Sequence, residues 1–244
     1  MKVVAITQAR MTSTRLPGKV MLPVLGKPLL AWHLERVARA ATLDDVVVAT
    51  TTNAVDDPIV EMAGSLGMQA FRGSEGDVLS RYAGAARMAA AEVVVRVTSD
   101  CPLIDPAVID ATVGTFLAAL PNAEYGCNRL PQTYPRGMDT EVVTAEVLFE
   151  ADQVATESLD REHVTLFVWR QPKRYRVVNH AYRSDESRHR WTVDTPEDLD
   201  LIERLIGAVA PAHPQFTLED CLAVIRAHPD WEAINRHVEQ KKVL

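Results

Sequence analysis

An α/β fold built on a mostly parallel, twisted sheet is predicted by three features of this 244-residue chain. Short β-branched runs at 2–7, 46–50 and 93–98 alternate with longer segments of helical apolar period, the pattern of strand–helix–strand units whose strands lie parallel. Glycine and proline punctuate the junctions between these runs. Hydrophobic residues make up 47% of the chain against 24% charged, enough apolar side chain to cover both faces of such a sheet.

Residues 2–7 form the first strand, and a polar loop follows to about residue 25. A helix over 28–41 places Leu30, Leu34, Val37 and Ala41 on one face. The second strand, 46–50, is followed by a helix over 58–66, a short strand at 69–71, an alanine-rich helix over 77–90 and a strong fourth strand at 93–98. Asp105-Pro106 opens the next helix, which ends near 120: aspartate caps the first turn, and proline suits the first helical position. Residues 125–144 contain two prolines and two glycines in a mixed-polarity stretch, which reads as hairpins and loops making an excursion from the sheet. Helices at 145–155 and 162–170, strands at 174–179 and 191–193, and helices at 196–209 and 218–227 complete the reading. No repeat or linker interrupts it, so one domain over 1–244 is expected, with the excursion at about 125–190.

Composition narrows the class. Three cysteines (Cys101, Cys127, Cys221) with no CxxC pair argue against a disulfide framework or a zinc ribbon, and a reducing cytoplasm is the expected location. No apolar run approaches the ~18–20 residues of a membrane span, and nothing near Met1 resembles a signal peptide. The formal charge is −7, yet residues 1–40 carry Lys2, Arg10, Arg15, Lys19, Lys27, Arg36 and Arg39 against Glu35 alone. An acidic protein with one short basic segment is unsuited to binding nucleic acid along an extended face, and suited to a small, highly charged anion.

That segment lies where ligands bind in open α/β sheets, beyond the carboxyl end of the first strand. In Gln8-Ala9-Arg10-Met11-Thr12-Ser13-Thr14-Arg15-Leu16-Pro17-Gly18-Lys19, the cations Arg10, Arg15 and Lys19 complement a triphosphate, while Ser13 and backbone amides can donate to its oxygens. Neither GxxxxGK[ST] nor GxGxxG is present. The bland alternative is a solvated basic loop, which three spaced cations in an acidic chain disfavour.

Two further segments put aspartates at strand ends. Asp100, after the strand 93–98, suits a Mg²⁺ ligand whose remaining positions go to phosphate and water, whereas Asp105 suits the helix cap. Asp194, in Trp191-Thr192-Val193-Asp194-Thr195-Pro196-Glu197-Asp198, reads equally as the second metal ligand or as part of a helix start with Thr195 as N-cap. His163 is the one histidine in a polar cluster, without a second histidine at ligand spacing. Cys101, before a proline, reads as structural.

Taken in order, these segments resemble the cytidylyltransferase family that activates sugars as CMP derivatives, and within it the spore coat polysaccharide biosynthesis (SpsF-type) branch. The resemblance rests on residues 6–19, Phe71-Arg72-Gly73, Asp77-Val78-Leu79-Ser80-Arg81-Tyr82, Thr98-Ser99-Asp100-Cys101-Pro102-Leu103-Ile104-Asp105, Tyr134-Pro135-Arg136-Gly137-Met138-Asp139-Thr140-Glu141, Arg161-Glu162-His163-Val164-Thr165 and residues 191–199. It implies a Rossmann-like, GT-A-like nucleotidyltransferase topology and transfer of CMP from CTP to an acidic sugar or related small anionic acceptor, with loss of pyrophosphate. It further implies Mg²⁺ on Asp100 and Asp194, catalytic roles for Arg10, Lys19 and Asp100, and nucleotide contacts from Ala9, Arg10, Ser13, Arg15, Lys19, Arg72, Gly73 and Arg81. Acceptor contacts are implied for Arg136, Asp139, Glu141 and His163, and a homodimer for the assembly. The alternatives are a nucleotidyltransferase that joins UTP or GTP to a sugar 1-phosphate, and a nucleotide-binding protein without turnover.

Overall fold

The computed structural model describes residues 1–239; the last five residues of the expected domain lie outside the described residues. The first half consists of β1 (Val3–Gln8), β2 (Pro23–Val24), β3 (Lys27–Pro28), α1 (Leu29–Val37), β4 (Asp45–Thr51), α2 (Asp57–Ser65), β5 (Gln69–Gly73), α3 (Val78–Met88), β6 (Val93–Thr98) and α4 (Pro106–Ala119). The second half adds β7 (Tyr125–Cys127), β8 (Glu141–Thr144), α5 (Ala145–Val154), α6 (Ser158–His163), α7 (Leu166–Trp169), β9 (Val177–Asn179), α8 (Pro196–Val209) and α9 (Leu218–Ala227). Apart from the small β2–β3 ribbon, the strands form one seven-stranded sheet in the order β5-β4-β1-β6-β8-β7-β9. Pairing is parallel from β5 through β6 and again between β7 and β9; β8 runs antiparallel to both its neighbours.

Successive side chains of a strand point to opposite faces, and β1 shows the consequence. Val4 and Ile6 join a core with α3 and α5, while Val3 and Ala5 join a second core with α1 and α4 on the other face. A third apolar cluster, holding Trp32, Tyr134, Met138 and Trp191, packs α8 and α9 beside the sheet. Among the described residues no helix is long and apolar enough to cross a membrane.

Three expectations require correction. Residues 125–144 leave the sheet only over 128–140: β7 and β8 at their ends are integral strands, because Val142 and Val143 bury on opposite faces and Tyr125 is fully enclosed. The expected strand at 191–193 does not form. Its backbone instead bonds to loops, Trp191 N–H to the Arg136 carbonyl (2.8 Å) and Val193 N–H to the Asp100 carbonyl (2.8 Å), leaving one isolated bridge between Arg136 and Arg190. The single helix expected over 162–170 is two, α6 and α7, broken at Val164, whose φ is +58°.

Gly137 makes the loop contact with residue 191 possible. Its φ is +103°, and a Cβ there would lie 2.7 Å from the Trp191 carbonyl oxygen, a backbone atom that cannot swing aside. Gly137→Ala is therefore expected to destabilise the protein by about 2 kcal/mol or more in urea unfolding; a loss within about 0.5 kcal/mol would show that this loop is not held as described.

Candidate active site

The carboxyl ends of β1, β5 and β6 open into a cavity of about 510 Å³. The loop after β1 is closed by Gly18, which at φ +70° donates its N–H to the Met11 carbonyl (2.8 Å). Asp56 anchors the same loop from β4's end by accepting from the Met11 N–H at 2.7 Å. The short 3₁₀ turn Lys19–Met21 then carries Lys19 inward, where it is only 8% exposed.

Lys19 Nζ lies 2.7 Å from Asp100 Oδ2, 2.8 Å from Asp194 Oδ1 and 2.8 Å from the Val193 carbonyl. Burial alone would lower the ammonium's pKa, but the two carboxylates raise it, so Lys19 is fully charged. Asp100 is the reciprocal case: burial opposes its charge, and Lys19 overrides that to hold it near 2. Asp194 also takes Arg15 at 2.8 Å and Arg190 at 2.7 Å on its other oxygen. Arg190 divides its guanidinium between Asp194 and Asp198, which is fully buried.

The helix-start reading of residues 194–198 holds, and it leaves Asp194 at the cavity. Thr195 caps α8 in a capping box with Asp198, and Asp194, one residue earlier, faces the cavity. Asp105 caps α4 by accepting from Ala107 N–H (2.8 Å), and it also holds the first residue of α9 through Leu218 N–H (2.5 Å).

The turn carrying Asp100 is fixed from α1. His33, fully buried, reaches Thr7 Oγ1 through Nε2 and the Cys101 carbonyl through Nδ1, each at 3.0 Å. Arg36 donates to the Leu103, Ile104 and Phe216 carbonyls. Cys101 is buried, and burial first, then Asp100, pushes its thiol pKa well up, as a structural cysteine requires.

Of the nucleotide residues expected from sequence, Ala9, Arg10, Ser13, Arg15, Lys19 and Arg81 line the cavity together with Asp100 and Asp194. Arg72 and Gly73 do not. Arg72 braces the β4–α2 junction instead, donating to the Thr51 and Asn53 carbonyls and to Asp57. Of the expected acceptor residues only His163 lines the cavity, beside Ser158 and Glu162 of α6. Arg136 lines a second cavity of about 480 Å³ with His189 and Trp191, and Asp139 accepts from Gly137 N–H (3.2 Å). Glu141 is 2% exposed and saturated by Arg96, Arg129, Tyr125 and Thr165. Burial disfavours its charge, yet the two guanidiniums hold its pKa near 2.

Sequence reasoning missed Glu75, which accepts from Thr12 (2.5 Å), Asn53 (2.7 Å) and Arg10 (3.4 Å) at the cavity mouth. Its place in Gly73-Ser74-Glu75-Gly76, just past a parallel strand's carboxyl end, was the available signal. Arg190 left none, since its partners meet it only through the fold.

Acid stability reports on the His33 anchor. Burial lowers the His33 pKa to about 4, so the unfolded chain binds a proton near pH 6.5 that the folded one refuses. Stability should fall by up to about 3 kcal/mol between pH 6.5 and pH 4, and His33→Gln should flatten that leg of the curve. Below it, Asp100 and Glu141 lose their stabilising charge between about pH 4 and pH 2 in both proteins. An unchanged upper leg in the variant, followed by chemical denaturation at each pH, would reject the assignment.

The chain is similar to several known proteins. The family described as Cytidylyltransferase matches residues 4–243. The spore coat polysaccharide biosynthesis protein SpsF of Bacillus subtilis is 32% identical over 232 residues, 92% of this chain and 94% of that one. A 3-deoxy-manno-octulosonate cytidylyltransferase of Geobacter metallireducens is 36% identical over 118 residues, 48% of this chain and 46% of its own. A solved cytidylyltransferase structure from Leptospira borgpetersenii superimposes with a TM-score of 0.91 at 34% identity, covering 99% of this chain and all of that one. With the match running from β1 almost to the last residue, and with its nucleotidyltransferase fold alongside, the chain belongs to the cytidylyltransferase family.

Proposed function

We propose that this enzyme is a Mg²⁺-dependent cytidylyltransferase that transfers CMP from CTP to an acidic sugar or a related small anionic acceptor, releasing pyrophosphate, for surface polysaccharide or glycoconjugate synthesis in the cytoplasm. The observation carrying the reading is the buried Lys19 bridging Asp100 and Asp194 at the floor of a cavity whose rim holds Arg10 and Arg15. The polysaccharide-biosynthesis relative and the octulosonate-activating relative support the acceptor class.

The chemical difficulty is bringing a nucleophile to the α-phosphorus of a polyanion. Arg10 and Arg15 are more than two-fifths exposed, on Glu75 and Asp194 respectively, so each can exchange a carboxylate for a phosphate oxygen at small desolvation cost. Ser13 and the loop's amides add neutral donors. Lys19 stays in place and keeps the two aspartates from repelling each other. The acceptor oxygen bonds to the α-phosphorus while the bond to the bridging oxygen breaks and pyrophosphate carries away the negative charge; cations held in advance stabilise that charge without reorganising.

Asp100 and Asp194 each keep one carboxylate oxygen that Lys19 does not hold, Oδ1 and Oδ2 respectively, and hard oxygens of this kind fit Mg²⁺. Among the described residues no third His, Cys, Asp or Glu joins them in a metal-holding group, and phosphate and water suit the remaining positions. When bound, the ion would supply further positive charge at the phosphates.

Calorimetry with CTP, UTP, GTP and ATP, with and without Mg²⁺, tests the donor half. CTP should bind at least tenfold more tightly than the others, and only with Mg²⁺. Asp100→Ala and Asp194→Ala should each reduce pyrophosphate release, assayed across a panel of acidic sugars, by at least about a hundredfold; full turnover in both variants would sink the metal assignment. The enzyme is also expected to be a homodimer, so light scattering should give the mass of two chains at micromolar concentration, and the mass of one chain would reject it.

A further inference from the structure

Val164 sits at φ +58°, ψ −66°, a combination that a β-branched residue adopts only under constraint. Across it the Thr165 N–H donates to the His163 carbonyl at 2.6 Å, closing a three-residue γ-turn of the strained hand. This turn divides α6 from α7. On one side Ser158, Glu162 and His163 line the catalytic cavity; on the other Leu166 and Val168 are buried, as is Val164 itself.

The break has a geometric purpose. In an unbroken helix residues 162 and 166 would share a face, one turn apart, so a helix that buried Leu166 would draw Glu162 toward the core with it. Turning the chain at Val164 lets α7 bury its apolar side chains while Glu162 remains exposed and His163 only part-buried at the cavity.

Strain of this kind, on the order of 1–3 kcal/mol, persists only where the surroundings over-determine it. The anchor is Thr165, whose Oγ1 donates to Glu141 Oε1 at 2.8 Å. Glu141 is itself immobile. Its carboxylate accepts from Tyr125 Oη (2.5 Å) on β7, from Arg129 (3.2 Å) and from Arg96 on the neighbouring β6, and its backbone is paired in β8. A group gripped from three strands of the sheet is a fixed point against which a short loop can be held out of its preferred conformation.

We propose that Glu141 is a positioning residue: through Thr165 it holds the strained turn at Val164, and so sets where Glu162 and His163 stand on the acceptor side of the cavity. This rests on the cytidylyltransferase reading. The ends of β1, β5 and β6, with the basic loop, supply the nucleotide's surroundings in that reading, and α6 is a further wall, contributed by the half of the chain that holds the antiparallel strand β8.

The test avoids Glu141 itself, because its removal would leave Arg96 and Arg129 uncompensated in the interior. Thr165→Val keeps the side chain's shape and deletes only the donor. It should shift the His163 ring resonances in the NMR spectrum and accelerate amide exchange over 158–163 at least tenfold, while exchange in β1 and β4 stays as in the wild type. Adding Val164→Gly to that variant should restore both signals, because glycine takes a positive φ without strain. Wild-type His163 resonances and exchange in Thr165→Val, acceleration spread evenly over the whole protein, or no rescue by Val164→Gly would each overturn the proposal. Calorimetric CTP binding should stay within twofold in both variants. Failure of the wild type to bind CTP would instead overturn the underlying reading, and the NMR measurements, which need no nucleotide, separate the two.

Discussion

The contact between one ammonium and two carboxylates, Lys19 with Asp100 and Asp194, is the constraint around which the site is built. Two carboxylates approaching the same point in a partly desolvated pocket would repel strongly, and one would be expected to take up a proton. A lysine within 2.8 Å of both removes that pressure and keeps Asp100 ionised far below neutral pH. Because the three residues come from the loop after β1, the end of β6 and the segment before α8, the interaction also ties the amino-terminal, central and carboxyl-terminal thirds of the chain together. The Val193 N–H bonded to the Asp100 carbonyl fixes the same junction through the backbone.

A charge cluster of this kind holds its geometry only if the backbone beneath it is rigid. Here the support comes from α1, whose His33 and Arg36 are almost fully buried and spend their polar atoms on carbonyls of the 101–104 turn. A histidine kept neutral by burial is suited to this: it satisfies a carbonyl and a threonine hydroxyl without bringing a second cation close to Lys19. The site therefore rests on two tiers, an outer one of paired charges and an inner one of neutral or backbone-directed hydrogen bonds.

Much of this was legible in the sequence, for a definite reason. Strand ends in a parallel sheet converge on one edge, so Arg10, Lys19 and Asp100 could be assigned to a common site from their positions after β1 and β6 alone. Asp194 was ambiguous because the residues that cap α8 are the same short polar types that face the site. What could not be read was partner choice among the arginines and glutamates beyond the first loop. Arg72 lies near the end of β5 and Arg81 near the start of α3, yet the first turns to backbone carbonyls and the second lines the cavity. Glu141 looked like a polar loop residue because β8 is only four residues long and is flanked by loop composition; its burial depends on Arg96 and Arg129, which lie 45 and 12 residues away.

Exposure divides the cations by task. Lys19 is buried and triply bonded, so exchanging its partners would mean dismantling the floor of the pocket. Arg10 and Arg15 are exposed; the Arg10–Glu75 pair is a surface ion pair of the kind that contributes on the order of 0–1 kcal/mol, whereas Arg15 meets the buried Asp194. In the proposed reading a triphosphate would offer the same guanidiniums more charge at closer range. Glu75 and Asp194 thus hold the arginines extended and oriented, which would limit the conformational entropy lost on binding. In the proposed reading the carboxylates beside these arginines, Glu75 at the cavity mouth and Asp194 at its floor, hold the cations ready for an anion.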